Sequence, residues 1–133
     1  MSKTLRLSLA LVVAAFVSWS VFADTQPAAQ TLKGSYIWEQ AQETGALEAI
    51  FTPDGAGHWK VAFHFTFQGE AHVYSGTADG SLTNGSLAGR VQTDSGKGVF
   101  TFSGEFKDGK FQGSHARLTA GNEERTGTLS LGA

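Results

Sequence analysis

The sequence predicts an all-β fold in which eight antiparallel strands form an up-and-down meander that closes into a barrel. From Lys33 onward, apolar residues alternate with polar ones, as in a half-buried strand. Turn residues interrupt this alternation about every 10 to 15 residues. The inferred turns keep the apolar side chains on one face, and a sheet with such a face is expected to close on itself. A β-sandwich is the alternative.

The first 23 residues are expected to be a signal peptide that lies outside this fold. Lys3 and Arg6 precede an apolar run, 7–22, and the segment ends in the Val21-Phe-Ala23 pattern that signal peptidase recognises. An uncleaved membrane anchor is the alternative, but the run is short for a span. We expect an exported protein, periplasmic or secreted, with no membrane span after signal cleavage.

The composition of residues 24–133 limits their domain organisation and the functions they can have. We expect residues 24–32 to be a polar tether and 33–133 a single β-barrel domain. The absence of cysteine excludes disulfides and a lipid-anchored N-terminus. With 10 basic and 12 acidic residues the chain offers no basic surface for nucleic acid. No catalytic constellation, phosphate-binding loop or complete metal-ligand set is visible, so we expect no enzyme, no cofactor and no metal site. No oligomeric state is indicated.

Strands one and two are predicted at about 33–40 and 45–52. A four-residue connection, 41–44, then places Trp38 opposite Leu47, so that the apolar faces of the two strands agree.

Strand three, at about 58–67, has the clearest alternation in the chain. The Gln68-Gly69 pair after it is a two-residue turn, which places Phe65 opposite His72.

Strand four is predicted to reach about Thr83. Asn84-Gly85 is a strong turn signal. The resulting hairpin with strand five, about 86–93, places Asp79 opposite Arg90 on the outer face.

Strands six and seven form the clearest hairpin, which turns at Asp108-Gly109. A loop at 94–97 precedes it and aligns Val91 with Phe100. The inward pairs of this hairpin are Phe106 with Phe111, Gly104 with Gly113, Phe102 with His115, and Phe100 with Arg117. A loop at 120–124 leads to strand eight, about 125–131, which should lie beside strand one.

Glycines recur at inward positions in the middle of the strands. They are Gly76, Gly80, Gly89, Gly104, Gly113 and Gly127. Because glycine weakens a strand, we interpret them as sites of bending or close backbone approach that let the sheet curve around large Phe rings.

Strand one contains a glycine and a tryptophan, Gly34-Ser-Tyr-Ile-Trp38, at the start of an exported eight-stranded barrel. In this the chain resembles the calycins, the β-barrels that include lipocalins and avidins, over about residues 33–131. The spacing differs from the Gly-x-Trp of lipocalins, and no helix sequence follows strand eight. The resemblance implies the fold and, by analogy, ligand binding, but no site residues.

The two ends of the barrel are predicted to differ. The end with the turns at 53–57, 84–85 and 108–109 should hold an apolar plug of Phe51, Trp59, Leu82, Leu87, Phe106 and Phe111. The mouth formed by loops 41–44, 68–69, 94–97 and 120–124 combines polar groups with aromatic rings, as small-molecule pockets do. The candidate ligand-binding residues there are Trp38, Gln40, Phe65, His72, Phe100, His115 and Arg117.

Two hypotheses about function remain open. In the first, the mouth binds a small apolar or amphipathic ligand, with Arg117 orienting an acidic or carbonyl group. In the alternative, the barrel is filled and acts as a structural or protein-interaction module, with Arg117 paired to Glu123 or Glu124. Outward apolar side chains would then mediate association. They are Ile37, Ile50, Val73, Val99 and Leu118.

Overall fold

Residues 28–133, the part of the chain that the computed structural model describes, form eight β-strands. They are β1 (Gln30–Trp38), β2 (Glu43–Pro53), β3 (His58–Phe67), β4 (Glu70–Gly80), β5 (Gly85–Gln92), β6 (Val99–Lys107), β7 (Lys110–Thr119) and β8 (Asn122–Gly132). Each strand pairs antiparallel with the next, and β8 pairs with β1 to close the barrel. The predicted all-β meander is therefore confirmed, and it is compatible with a calycin-like fold.

The predicted signal peptide lies outside the described residues. Within 28–133, no helix is long and apolar enough to cross a membrane.

The β6–β7 hairpin has the predicted register. Its turn residues, Asp108 and Gly109, have φ values of 53° and 78°. Two successive positive φ values are the mark of the type I′ turn, whose twist matches that of the strands it joins. The inward pairs are confirmed: Phe106 with Phe111, Gly104 with Gly113, Phe102 with His115, and Phe100 with Arg117.

Two other predicted registers are also confirmed. Gln68-Gly69 turns between β3 and β4 with positive φ at both residues, and Phe65 faces His72. Between β5 and β6, Val91 faces Phe100.

The predicted register of β1 and β2 is wrong. Trp38 pairs with Glu43 and not with Leu47, because the chain turns at 39–42, earlier than predicted. Gln42 adopts the positive φ of this turn, 51°, a conformation that the sequence does not signal with glycine or asparagine. The shift is an even number of residues, so the inward side chains still face inward.

The predicted register of β4 and β5 is wrong for a similar reason. Asp79 does not face Arg90, because the strands are joined by the four residues 81–84 and not by a two-residue turn at 84–85. The Ser81 Oγ accepts hydrogen bonds from two backbone N–H groups of this turn, at 3.1 and 3.2 Å. A serine side chain thus closes the turn before the Asn-Gly pair is reached.

The predicted loop at 120–124 is also wrong, since the chain turns at Ala120-Gly121 and β8 begins directly after it. Gly127 pairs with His115, whereas the next residue of β7 pairs with Arg125. Thr126 is therefore an extra residue, a β-bulge on β8. The bulge explains why two successive residues of β8, Thr126 and Gly127, are both buried.

The predicted apolar plug is confirmed at one end of the barrel. Its members Phe51, Leu82, Leu87, Phe106 and Phe111 are buried, and Phe51 and Phe111 have no exposed surface. Trp59 is half-buried and donates its indole N–H to the carbonyl oxygen of Gly80 at 3.0 Å. This end is therefore filled by side chains.

The inward glycines lie where neighbouring strands approach closely, as predicted. A Cβ atom at any of Gly76, Gly80, Gly89, Gly104, Gly113 or Gly127 would overlap backbone of the adjoining strand. Only a residue without a side chain allows the sheet to coil this tightly.

Candidate functional site

The end of the barrel opposite the plug contains a cavity of about 150 Å³. This mouth carries the turns 39–42, 68–69, 93–98 and 120–121. The aromatic side chains that line the cavity are Tyr36, Trp38, Phe63, Phe65, Phe67, Tyr74, Phe100 and Phe102. Arg117, His115 and Thr101 are the polar residues at its wall.

The Arg117 guanidinium lies over two aromatic rings of the mouth. Its Cζ atom is 5.6 Å from the ring centroid of Trp38 and 5.3 Å from that of Phe100. Within residues 28–133 it forms no salt bridge, and the predicted pairing with Glu123 or Glu124 is absent. The Glu123 carboxylate instead accepts a hydrogen bond from the Thr101 hydroxyl at 3.0 Å. Cation–π contact positions the guanidinium while leaving its N–H edge available to another acceptor.

His115 is part of the cavity wall, but both of its ring nitrogens already have protein partners. Its Nε2 lies 3.0 Å from the carbonyl oxygen of Ile37, and its Nδ1 lies 2.6 Å from the Thr126 Oγ1. The ring stacks on Trp38 with centroids 5.9 Å apart. Burial lowers the pKa of His115, and the hydrogen bond to the Ile37 carbonyl opposes this effect. These contacts position Trp38 and do not present a free donor to the cavity.

Two of the candidate residues predicted from the sequence lie beside the cavity without lining it. His72 stacks on Phe65, with centroids 5.5 Å apart, and its Nδ1 is 2.8 Å from the Asp94 carboxylate. Gln40 is exposed in the turn after β1. The structure thus brings five of the seven candidates together around the cavity. They are Trp38, Phe65, Phe100, His115 and Arg117.

Two tyrosines that were not among the candidates predicted from the sequence also line the cavity. Tyr36 donates its hydroxyl to the carbonyl oxygen of Thr66 at 2.7 Å. Tyr74 stacks on Phe100 with centroids 5.6 Å apart. Burial is the main cause that raises the pKa of both phenols, so they stay protonated donors. Tyr36 lies two residues before Trp38 on β1, and Tyr74 lies opposite the inward Phe63, so the alternation of the strands already places both side chains on the inward face. That pattern could have identified them.

The charges at the mouth are distributed unevenly. Glu43 faces Trp38 across β1–β2, and its carboxylate further raises the pKa of Tyr36. Its Oε2 is buried and has no hydrogen-bond partner among the described residues. Arg117 lies on β7, and its guanidinium lies over the same Trp38 ring without a salt bridge to Glu43.

A surface ion pair joins the first turn of the mouth to the closing strand. Arg125 donates from Nε and Nη2 to the two carboxylate oxygens of Glu39, at 3.0 and 3.2 Å. The pair lowers the pKa of Glu39 and raises that of Arg125. Both groups are exposed, so we expect little stabilisation from this pair.

Among residues 28–133, no three His, Asp or Glu side chains lie close enough together to hold a metal ion. The chain matches no protein-family model, no curated protein and no solved structure.

Proposed function

We propose that this chain is an exported β-barrel that binds a small apolar or amphipathic ligand in the cavity at its open mouth. The observation that carries the proposal is the Arg117 guanidinium, which lies over the rim of an aromatic cavity of about 150 Å³ and has no carboxylate partner among the described residues. The proposal contains no catalytic step and no cofactor.

The contrast between the two barrel ends supports this proposal. Small eight-stranded barrels can be filled completely by side chains, and protein interiors have few voids larger than a water molecule. The plug end follows that rule, with Phe51 and Phe111 fully buried. The mouth does not follow that rule, since a cavity of about 150 Å³ remains there although the same strands supply large aromatic rings. Unfilled aromatic space loses dispersion contacts that a ligand would restore.

The position of the chain ends is compatible with an open mouth. Residues near both ends of the barrel chain, Gln30 and Leu131, pair with the plug residues Phe51 and Phe111. The segment before β1 therefore joins the barrel at the plug end. Export itself rests on the N-terminal sequence pattern, with its basic residues, apolar run and Val21-Phe-Ala23 motif.

Native mass spectrometry of the protein purified from the exported fraction of its natural host tests this function. We expect a noncovalent complex with one small molecule and a mature N-terminus at Asp24. The variant Leu129→Phe, which enlarges a side chain lining the cavity, should reduce the bound fraction. The matched variant Leu118→Phe changes a side chain on the outward face of β7 and should leave the bound fraction unchanged. An exported protein that carries no small molecule would contradict the proposal.

The alternative function, a filled barrel that associates through its outer face, receives less support. Ile37 and Val73 are the large apolar side chains most exposed within 28–133, at 43% and 44%. They lie on β1 and β4, which are separated by two strands, and so they do not form one apolar patch. A stable oligomer in light-scattering measurements, together with an empty interior, would favour this alternative.

A further inference from the structure

We infer that the ligand is a carboxylate with a single aromatic ring, its ring held in the cavity and its carboxylate bound by Arg117. This inference deepens the proposed function and rests on it. It follows from the size of the cavity, the arrangement of its rings and the distribution of charge at its mouth.

The size of the cavity limits the ligand to about one ring. An apolar protein cavity of about 150 Å³ is large enough to bind benzene. The cavity here has the same volume, about 150 Å³, whereas pockets for drug-sized ligands begin at about 300 Å³. A fused two-ring compound or a long acyl chain would therefore have to leave much of its apolar surface in water.

The walls suit a flat aromatic body. Phe63 and Phe102 meet edge to face, with centroids 5.0 Å apart and planes at 84°. Phe65 and Tyr74 do the same at 4.8 Å and 90°. Walls of this kind present both ring faces and ring edges to the cavity. A bound ring can thus pair edge to face or offset-stacked, the arrangements that aromatic pairs prefer.

The mouth provides a cation for the head group. The Arg117 Cζ atom lies over the Trp38 and Phe100 rings, and the guanidinium forms no salt bridge among residues 28–133. The N–H groups along the edge of the planar guanidinium can therefore bind a ligand. A planar carboxylate matches that edge with two parallel hydrogen bonds. Tyr74, which stacks on the same Phe100 ring, is a second donor on this side. Glu43 lies opposite Trp38 on β2 and Glu124 lies opposite Arg117 on β8, and neither forms a salt bridge with Arg117.

Isothermal titration calorimetry on the mature protein, which begins at Asp24, tests this inference with four probes. Benzoate has one ring and a carboxylate, benzyl alcohol has one ring without charge, and 2-naphthoate and decanoate carry larger apolar bodies. We expect benzoate to bind at least about tenfold more tightly than each of the other three, since a charge-assisted bidentate contact and a complete fit are both needed.

Two arginine variants separate the head-group contact from general charge effects. Arg117→Gln should weaken benzoate binding by about tenfold or more and leave benzyl alcohol binding unchanged. Arg90→Gln removes an exposed outward arginine on β5 and should change neither affinity. Circular dichroism and thermal unfolding establish that both variants are folded.

The outcomes distinguish this inference from the function on which it rests. Equal affinity for benzoate and benzyl alcohol, unaffected by Arg117→Gln, overturns the carboxylate while leaving a binding cavity. Tighter binding of 2-naphthoate or decanoate overturns the one-ring size. If no probe binds but the natural protein carries another small molecule, the inference fails and the proposed function stands. If no probe binds and the natural protein is empty, both fail.

Discussion

His115 on β7 is hydrogen-bonded to the carbonyl oxygen of Ile37 on β1, across the strand that lies between them. The atoms are 3.0 Å apart, and since a carbonyl oxygen only accepts, Nε2 carries the proton. The intervening residue of β8 is Gly127, beside the bulge residue Thr126. Side chains thus reinforce the seam at which the barrel closes, and Trp38 is positioned against the same imidazole.

Gly127→Ala should destabilise this seam strongly. A Cβ atom there would overlap the Ile37 carbonyl oxygen and lie 2.9 Å from the His115 ring. Neither backbone nor a stacked ring can yield easily, so we expect the free energy of unfolding to fall by about 2 to 3 kcal/mol. Urea unfolding followed by circular dichroism measures it. Gly132→Ala, where a Cβ would meet only the Lys110 Cγ atom, at 4.0 Å, is the control and should stay within about 0.5 kcal/mol of wild type. Equal stability of both variants would contradict the close contact.

The burial of His115 should make stability depend on pH in the near-neutral range. Because burial holds its native pKa below the usual value of 6.5, the unfolded chain binds a proton more readily than the folded one. Its neutral form therefore stabilises the fold fully above about pH 6.5, and this contribution is lost as the pH falls from there through the lower native pKa.

The comparison of wild type with His115→Gln between pH 8 and pH 5 checks this dependence. We expect the stability advantage of wild type to shrink as the pH is lowered. Groups that titrate in both proteins cancel in the difference. Glu39 does not interfere in this range, because its hydrogen bond to Arg125 holds its pKa below 4.5. An advantage that is constant or grows at low pH would show that the imidazole is not held neutral.

The same substitution should have opposite effects at a residue that lines the cavity and at one that does not. Val91 lines the cavity, so Val91→Ile adds a methylene where there is space and should stabilise by about 0.8 kcal/mol. Val61 is buried and does not line that cavity, so Val61→Ile should destabilise by about 1 to 3 kcal/mol through overpacking. Denaturant unfolding of the two variants measures both changes. Similar effects at both positions would mean that the mouth is as closely packed as the rest.

Ala120→Asn should stabilise the β7–β8 turn. Ala120 has a φ of 50°, a left-handed conformation that costs alanine about 1 kcal/mol and that asparagine adopts more readily. We expect a gain of about 0.5 to 1 kcal/mol, seen as a rise of a few degrees in the midpoint of thermal unfolding. The control is Ala88→Asn at an exposed position within β5, where asparagine should be neutral or unfavourable. A gain at both sites, or at neither, would contradict this explanation.

The fold could be predicted because errors in strand register did not change which face was inward. Trp38 faces Glu43 where Leu47 was expected, and Asp79 is displaced from Arg90, yet both shifts are even. The alternation of apolar and polar residues determines which face of the sheet each side chain lies on, because a shift by one residue would turn every side chain to the other face. It says little about the exact length of a turn. The turns that were predicted correctly contain Gln68-Gly69 and Asp108-Gly109. Two of the turns that were predicted wrongly use Gln42 and Ser81, which form turns through backbone and hydroxyl geometry that has no clear sequence signal.

The candidate site was predicted less completely than the fold. Trp38, Phe100 and Arg117 do meet at the mouth, as their inward positions indicated. Gln40 was assigned to a strand and lies in a turn, because β1 ends at Trp38. Tyr36 and Tyr74 were omitted although the alternation of their strands places them on the inward face, because alternation alone does not show how far into a barrel an empty space extends.

Alternation, glycine placement and turn residues are local properties, and they were enough to establish an eight-stranded sheet with one buried face and a filled end at Phe51 and Phe111. At the other end, the inward side chains could either fill the barrel or leave a cavity. Which of the two occurs depends on how strongly the sheet coils, and the coiling is a property of all eight strands together. The contact of His115 with Ile37 likewise requires the closed barrel, because it spans β8 from β7 to β1, and β8 meets β1 only through closure. The cavity beneath Arg117 therefore belongs to the tertiary structure, whereas the side chains that line it were already ordered by the alternation of the chain.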